Sequence, residues 1–221
     1  MFVDAVHFAP HGLIDVKELD CDFLVCSPYK FFGPHMGTLY GKREHLLRFK
    51  PFKVRPAPET LPDRWETGTQ VQELIAGIAA AVDYLAELGR HCDAAVKGRR
   101  EALRAAYRAT HRHEMELFVR LVQELQETRG VRIFGITDPQ RFEERCSTLS
   151  FRLGNHNPTE IATFLGERGI FTRRRTPLSD VVEVSSIGVC GDLAAVLIAS
   201  SAARASWPTN SLVPSTIICG V

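Results

Sequence analysis

The sequence predicts an α/β protein with a small α+β domain in its second half. Residues 1–56 alternate short apolar runs with glycine and proline, which is typical of buried strands joined by turns. Residues 71–88 carry apolar side chains at helical spacing. Residues 131–172 follow the order strand, strand, helix, strand, and this order favours a small α+β domain.

The first part of the chain is expected to form a sheet. The predicted strands are Phe2–Val6, Asp22–Ser27 and Gly37–Gly41. Their nearly continuous apolar composition favours a sheet that is covered on both faces. A helix over Val71–Leu88 follows, and Gly89 is expected to end it. Residues 93–128 are expected to be helical as well, as one helix or two.

The predicted second domain contains three strands around one helix. The strands are expected over residues 131–135, 147–153 and 170–172. Asn157 and Pro158 mark the start of the helix, since asparagine is a good N-cap and proline suits the first helical position. Gly169 is expected to end the helix after Arg168.

Composition excludes several classes of protein. The net charge is +1, so there is no electrostatic reason to expect nucleic acid or an anionic membrane as a partner. The longest apolar run, Leu193–Ala199, is far shorter than the roughly 20 residues that cross a bilayer. Six cysteines lack the spacing of a zinc site, so we expect no metal, and they indicate reduced thiols in a cytoplasmic protein.

The two ends of the chain are unusual. A predicted apolar strand begins at Phe2 without any lead-in, so we expect the chain to be a fragment whose preceding part is absent. The composition changes after Arg175, because four charged residues are spread over everything that follows. We therefore interpret residues 173–221 as an atypical tail, either frameshifted or disordered.

Lys30 is the candidate catalytic residue. It follows an apolar strand directly and precedes a glycine–proline turn, and a Schiff-base lysine needs such a fixed, partly desolvated position. The hydroxyls of Ser27 and Tyr29 could reach a phosphate. Asp4 closes the first strand, where its carboxylate could pair with the pyridine nitrogen of pyridoxal 5′-phosphate (PLP), and His7 could contact the ring.

These residues belong to a longer ordered motif. It comprises Asp4, His7, Pro10-His11-Gly12, Asp15, Asp22-Phe23, Ser27, Tyr29-Lys30, Gly33-Pro34, Gly37 and Leu39-Tyr40-Gly41. The motif resembles the PLP-lysine signature of class V aminotransferases. The resemblance implies that Lys30 forms the internal aldimine, that Asp4 pairs with the pyridine nitrogen and that His7 contacts the ring oxygen. It also implies a phosphate contact for Ser27 and for Tyr29, although many members have histidine at the Tyr29 position.

A second matching segment lies just before the predicted helix. Glu66-Thr67-Gly68-Thr69 resembles the E-x-G-T segment of the family. In the family this threonine binds the phosphate of the neighbouring subunit's cofactor, so the resemblance implies this role for Thr69 and a homodimer with shared active sites. A Gly-Thr turn near a helix N-terminus also offers free N–H groups to an anion.

The resemblance covers residues 3–172 and implies the fold as well as the cofactor. Residues 1–90 would be the C-terminal part of a type I aminotransferase-like large domain that binds PLP. Residues 91–172 would hold the long helix and the small α+β domain. The sequence looks most similar to cysteine desulfurases, which implies an amino-acid substrate, while transamination and epimerisation stay open. The other alternative is an inactive fragment, or a dimerisation or binding remnant of such an enzyme.

Two further histidines lie in the glycine- and proline-rich loops of this region. His11 and His35 could line the site, but we interpret both as structural.

Overall fold

The computed structural model describes residues 1–66, 68–174 and 182–185. The chain divides into two compact units, residues 1–111 and a second unit that begins at Arg112. Among the described residues, no helix is both long and apolar enough to cross a membrane.

The first unit contains a three-stranded sheet of mixed direction. Its strands are β1 (Phe2–Asp4), β2 (Phe23–Cys26) and β3 (Thr38–Gly41). Strand β1 pairs parallel with β2, and β2 pairs antiparallel with β3, so β2 lies in the centre. All three predicted strands are confirmed, each somewhat shorter than the apolar run that predicted it.

The predicted cover on both faces of this sheet is wrong for the chain as described. Ala5, Cys21 and Leu24 form a small buried cluster on it. Phe2 in β1 and Leu39 in β3, however, are 63% and 47% exposed. Apolar composition shows that a strand is suited to burial, but it does not show that the same unit supplies the cover.

The described residues of this unit also contain three α-helices and the first part of a fourth, which continues into the second unit. They are α1 (Val16–Leu19), α2 (Arg43–Arg48), α3 (Gln72–Cys92) and α4 (Arg99–Glu127). Residues 99–127 form one continuous helix, which decides between the one or two helices expected there.

Gly89 does not end helix α3, contrary to the prediction. The helix continues to Cys92, and Gly89 is buried within it. A Cβ atom on Gly89 would lie 1.7 Å from the carbonyl oxygen of Ala102 in α4. The glycine is therefore explained by close packing of two helices and not by a helix end.

After the end of α4, the described residues of the second unit contain a four-stranded antiparallel sheet and a short helix. Its elements are β4 (Val131–Phe134), β5 (Thr148–Leu153), α5 (Pro158–Gly166), β6 (Arg173–Arg174) and β7 (Val182–Ser185). The strand order is β4-β5-β7-β6. The predicted strand over residues 170–172 is wrong in position, since the strand begins at Arg173.

Strand β7 was not predicted, because the composition of the tail has no strand period. It pairs with β5 and with β6, so it forms where neighbouring strands offer backbone partners. The rest of the tail from Arg175, and with it the prediction of frameshift or disorder, lies outside the described residues.

The second unit has a dense apolar core. Its buried members come from the later part of α4, from the 3-10 helix Pro139–Glu144, from β5 and from α5. They are Phe118, Leu121, Val122, Leu125, Phe142, Leu149, Phe151 and Ile161. The predicted start of α5 is confirmed. Asn157 is the N-cap, accepts a hydrogen bond from the Thr159 N–H at 2.8 Å, and forms a capping box with Glu160.

Candidate active site

Strand pairing brings Asp4 and the region of Lys30 to one edge of the first sheet. In the parallel pair of β1 and β2, Asp4 lies opposite Val25. Strand β2 ends at Cys26, and Ser27 follows it directly. The carboxyl ends of adjacent parallel strands meet at the same edge of a sheet, which is where ligands bind in α/β proteins.

Asp4 is exposed at this edge, and its side chain is oriented by the backbone. Its Oδ1 atom accepts a hydrogen bond from the Val6 N–H at 3.0 Å. This arrangement turns the chain immediately after β1, in the manner of an aspartate that bonds its own backbone two residues on. The carboxylate is thereby held at the strand end.

Lys30 lies in a short 3-10 helix, Pro28–Phe31, which we call the lysine turn. Ser27 precedes it in extended conformation and accepts the Lys30 N–H on its carbonyl at 3.0 Å. The Ser27 side chain makes no capping bond to this turn. Pro28 is fully buried, whereas Lys30 is half-buried. The turn is anchored through proline while the lysine side chain keeps contact with solvent.

The chain folds back tightly after the lysine turn. The Gly33 N–H donates to the Pro28 carbonyl at 2.8 Å, and a Cβ atom on Gly33 would lie 2.9 Å from that oxygen. Phe32 adopts the left-handed region with φ +68°, which is uncommon for a residue other than glycine. The glycine is required by this close approach, so the motif residue Gly33 has a local physical explanation.

The fold-back places His35 on Tyr29. Their ring centroids lie 4.8 Å apart at an interplanar angle of 12°, which is a stacked pair, and both side chains are exposed. Sequence reasoning treated His35 as structural and did not connect it with Tyr29. The Gly33-Pro34 turn between them was the signal that could have suggested a return of the chain.

The loop after Asp4 is tied to helix α4. The Tyr107 hydroxyl donates a hydrogen bond to the Ala9 carbonyl at 2.8 Å. His7 is exposed in this loop, and its ring meets that of buried His11 edge-on at 5.2 Å. Tyr107, which is distant in the sequence, therefore restrains the loop that carries His7.

Two titratable groups near the site stay protonated at neutral pH. Burial, with a smaller effect of nearby Cys26, raises the pKa of Tyr107 to about 12. Burial also raises the pKa of the Cys26 thiol. Since the thiolate is the reactive form of cysteine, Cys26 is expected to be a packing residue.

Thr69 lies in the loop before helix α3 and does not follow a strand of the first sheet. It is exposed, and Gly68 before it has φ +74°. Thr69 does not cap helix α3, because Val71 occupies the N-cap position. The phosphate role implied for Thr69 stays a prediction.

The fold and the strand-end motif agree with comparisons to known proteins. The aminotransferase class-V family model matches residues 1–176. The chain therefore belongs to the class-V aminotransferase family.

Individual relatives support this assignment. A protein of Halalkalibacterium halodurans described as "Probable cysteine desulfurase" is 30% identical over 185 residues, which are 78% of this chain and 40% of the relative. The cysteine desulfurase of Thermococcus onnurineus NA1 superposes with a TM-score of 0.69 at 23% identity, over 92% of this chain and 51% of that one. A mutant of C-DES with glycine covalently linked to its PLP cofactor has a TM-score of 0.63 at 18% identity, over 87% and 49% of the two chains.

The two structural matches show the fold, and the partial overlap limits the transfer of function. The chain spans 40% of the length of the Halalkalibacterium relative and about half the length of the matched structures. The activity, substrate and partners of the relatives are therefore proposals for this chain.

Proposed function

We propose that this chain is part of a PLP-dependent enzyme that acts on an amino acid, most similar to cysteine desulfurases, with Lys30 as the residue that holds the cofactor. The observation that carries the proposal is the parallel pairing of β1 with β2, which brings Asp4 and the lysine turn to one edge of the sheet. The names of the relatives favour cysteine as the substrate.

The side chains at this edge have the chemistry that PLP requires. An amine suits its aldehyde, a carboxylate suits its pyridine nitrogen, and hydroxyls suit its phosphate. Lys30, Asp4 and Ser27 supply these groups from adjacent strand ends. Tyr29 adds a second hydroxyl beside Lys30. The donor set therefore fits the cofactor that the family resemblance implies.

Each side chain has a distinct task in this proposal. When bound, PLP supplies an electron sink that acidifies the bonds at the Cα atom of an amino acid. The Asp4 carboxylate holds a proton at the pyridine nitrogen. Lys30 would hold the cofactor through its amine, and the free amine would move the proton at the Cα atom of the substrate. Ser27 and Tyr29 donate hydrogen bonds to the phosphate, and His7 orients the ring oxygen.

Covalent trapping tests the role of Lys30. The purified chain is mixed with PLP, the visible absorbance band is recorded, and the sample is reduced with borohydride before peptide mapping. We expect the label on Lys30 and loss of both band and label in Lys30→Ala. Lys50→Ala, which changes another lysine outside the motif, is the matched control and should keep both. A folded sample without a band, or a label elsewhere, contradicts the proposal.

Addition of cysteine then tests the reaction. Desulfuration releases sulfide in the presence of a thiol reductant and leaves alanine, and both can be measured. The second candidate function is a chain that binds PLP or a second subunit without turnover. A Lys30-dependent band without product from cysteine or other amino acids would support this second candidate.

The homodimer implied for Thr69 is part of the proposal. Large apolar side chains are exposed in residues 1–111, among them Phe2, Leu39, Phe52 and Ile75. Exposed apolar surface is typical of interfaces, which supports a second subunit.

Mixed dimers test whether the sites are shared. If Thr69 serves the neighbouring subunit, Lys30→Ala and Thr69→Ala chains should complement each other, because one site in each heterodimer has both residues. Random mixing would then restore roughly one quarter of the wild-type sites. No recovery in a sample that light scattering shows to be dimeric would contradict the shared site.

A further inference from the structure

We propose that His35 is a positioning residue for the candidate cofactor site. Its ring stacks on Tyr29 and holds the phenol hydroxyl toward the phosphate of the cofactor. The inference rests on the proposed function. It concerns a residue to which the motif assigns no role, and it explains how tyrosine works at a position where histidine is common in the family.

The stack has the geometry of a specific contact. The ring centroids of Tyr29 and His35 are 4.8 Å apart and the rings are within 12° of parallel. Both side chains are exposed, so burial alone does not hold them together. The His35 ring restricts rotation of Tyr29, and a phenol that is already oriented loses less entropy when it bonds a ligand.

Both partners of the stack are attached to rigid backbone. Tyr29 lies in the lysine turn directly after buried Pro28. On the other side, Pro34 packs on helix α3, where a Cβ atom on Gly77 would lie 3.2 Å from its ring. The Gly33 N–H bond to the Pro28 carbonyl closes the segment between them. His35 is thus delivered onto Tyr29 by a fixed turn.

The position of the stack connects it with the phosphate end of the site. Tyr29 lies two positions after Ser27 and directly before Lys30, and the Ser27 hydroxyl is not used to cap the turn. Two residues with hydroxyls and the lysine therefore lie within four consecutive positions, residues 27–30. The Tyr29 hydroxyl can serve a phosphate only if its ring points to the same side as Ser27, and the His35 ring limits that choice.

Paired titrations with PLP and with pyridoxal test the proposal on the full-length chain. Pyridoxal lacks the phosphate, so the ratio of the two dissociation constants reports the phosphate contacts alone. His35→Ala should raise the dissociation constant for PLP by about threefold to tenfold, the range expected for loss of one aromatic pair. The dissociation constant for pyridoxal should stay nearly unchanged. His35→Phe keeps a stacking ring and should restore the wild-type ratio.

A double-mutant cycle shows whether His35 acts through Tyr29. Tyr29→Phe removes the hydroxyl and should lower PLP affinity with no change for pyridoxal. In the Tyr29→Phe background, His35→Ala should have little further effect, since there is no hydroxyl left to position. His113→Ala, an exposed histidine of α4, is the matched control and should leave both constants unchanged.

The outcomes separate this inference from the proposed function. If the wild-type chain shows no Lys30-dependent band with PLP, both proposals fall. If the band forms but His35→Ala changes neither constant, or weakens PLP and pyridoxal equally, the inference about His35 falls and the proposed function stands. Failure of His35→Phe to restore the ratio also overturns it, provided circular dichroism shows a folded variant.

Discussion

The two units of this chain bury their apolar side chains very differently. In the second unit, Phe118, Leu149 and Phe151 belong to a core that joins a helix to a sheet. In the first unit, the buried cluster on the sheet contains Ala5, Cys21 and Leu24. Most of the exposed large apolar side chains among the described residues also lie in the first unit. The candidate site therefore lies in the unit whose sheet is less completely covered.

This difference indicates that the contacts that hold the candidate site are not the contacts that form the main apolar core. The lysine turn is held by local features, namely a buried proline, a tight glycine and backbone hydrogen bonds. The second unit depends on side chains that meet from distant parts of the sequence. Substitutions should reveal this contrast, and they are ordered from the largest expected effect to the smallest.

The largest effect is expected for Leu149→Ala in strand β5. Leu149 is fully buried, so truncation leaves a cavity and should lower the free energy of unfolding by about 2–5 kcal/mol. The comparison variant is Leu39→Ala in β3, which is 47% exposed and should cost less than about 1 kcal/mol. Urea unfolding followed by circular dichroism measures both, and equal effects would contradict the contrast between the units.

Gly89→Ala should destabilise the packing of α3 on α4. The new Cβ atom would meet backbone of Ala102, which cannot rotate away, so a loss of about 1–3 kcal/mol or more is expected despite the better helix propensity of alanine. Gly166→Ala is the control, because the structure shows open space around its Cβ position. That variant should be neutral or up to about 1 kcal/mol more stable. A neutral Gly89→Ala would show that the helices move apart at little cost.

The helix caps give smaller effects of opposite sign. Asn157→Ala removes the capping box of α5 and should cost about 1 kcal/mol. Val71→Ser supplies a side-chain cap that α3 lacks and should add stability of about 1 kcal/mol. Thermal and urea unfolding should move in opposite directions for the two variants, and shifts of the same sign would contradict this prediction.

The smallest expected effect is the contribution of Asp15 to the pH dependence of folding stability. Hydrogen bonds from the Lys17 and Glu18 N–H groups, and then the Arg100 guanidinium, hold the pKa of Asp15 below its usual value. A lowered pKa stabilises the fold above the pKa of the unfolded aspartate, about 3.9, and this stabilisation is lost as the pH falls through the folded pKa.

The variant Asp15→Asn tests this sign. The difference in urea midpoint between wild type and variant should be constant from pH 5 to 7 and should shrink below about pH 4. A difference that grows on acidification would contradict the prediction. Arg100→Ala should reproduce part of the effect, since its guanidinium lies 2.6 Å from the Asp15 carboxylate.

Much of the secondary structure was predictable because its signals are local. Apolar runs located β1, β2 and β3, and the asparagine–proline pair located the start of α5. The misses have long-range causes. Gly89 looked like a helix end, but the neighbouring helix required it, and β7 forms because β5 and β6 provide partners for its backbone.

The candidate site shows the same division. Asp4 closes the first apolar strand, and Ser27 and Lys30 come at or just after the end of the second, so their place near strand ends could be predicted. Their meeting at one edge depends on the parallel pairing of β1 with β2, which hydrogen bonds between separate segments decide. The role of Thr69 in a second subunit stays a prediction, because it depends on a contact between two chains.

By itself, the sequence determined the lysine motif, the three strands of the first sheet and the cofactor class to which the motif points. These depend on residue type and spacing within a few positions of the chain. The tertiary structure decided that His35 stacks on Tyr29, that Tyr107 holds the loop after Asp4, and that the first sheet keeps apolar side chains exposed. Such contacts arise when the chain folds back on itself. Neither composition nor the local periodicity of apolar residues specifies which residues then come into contact.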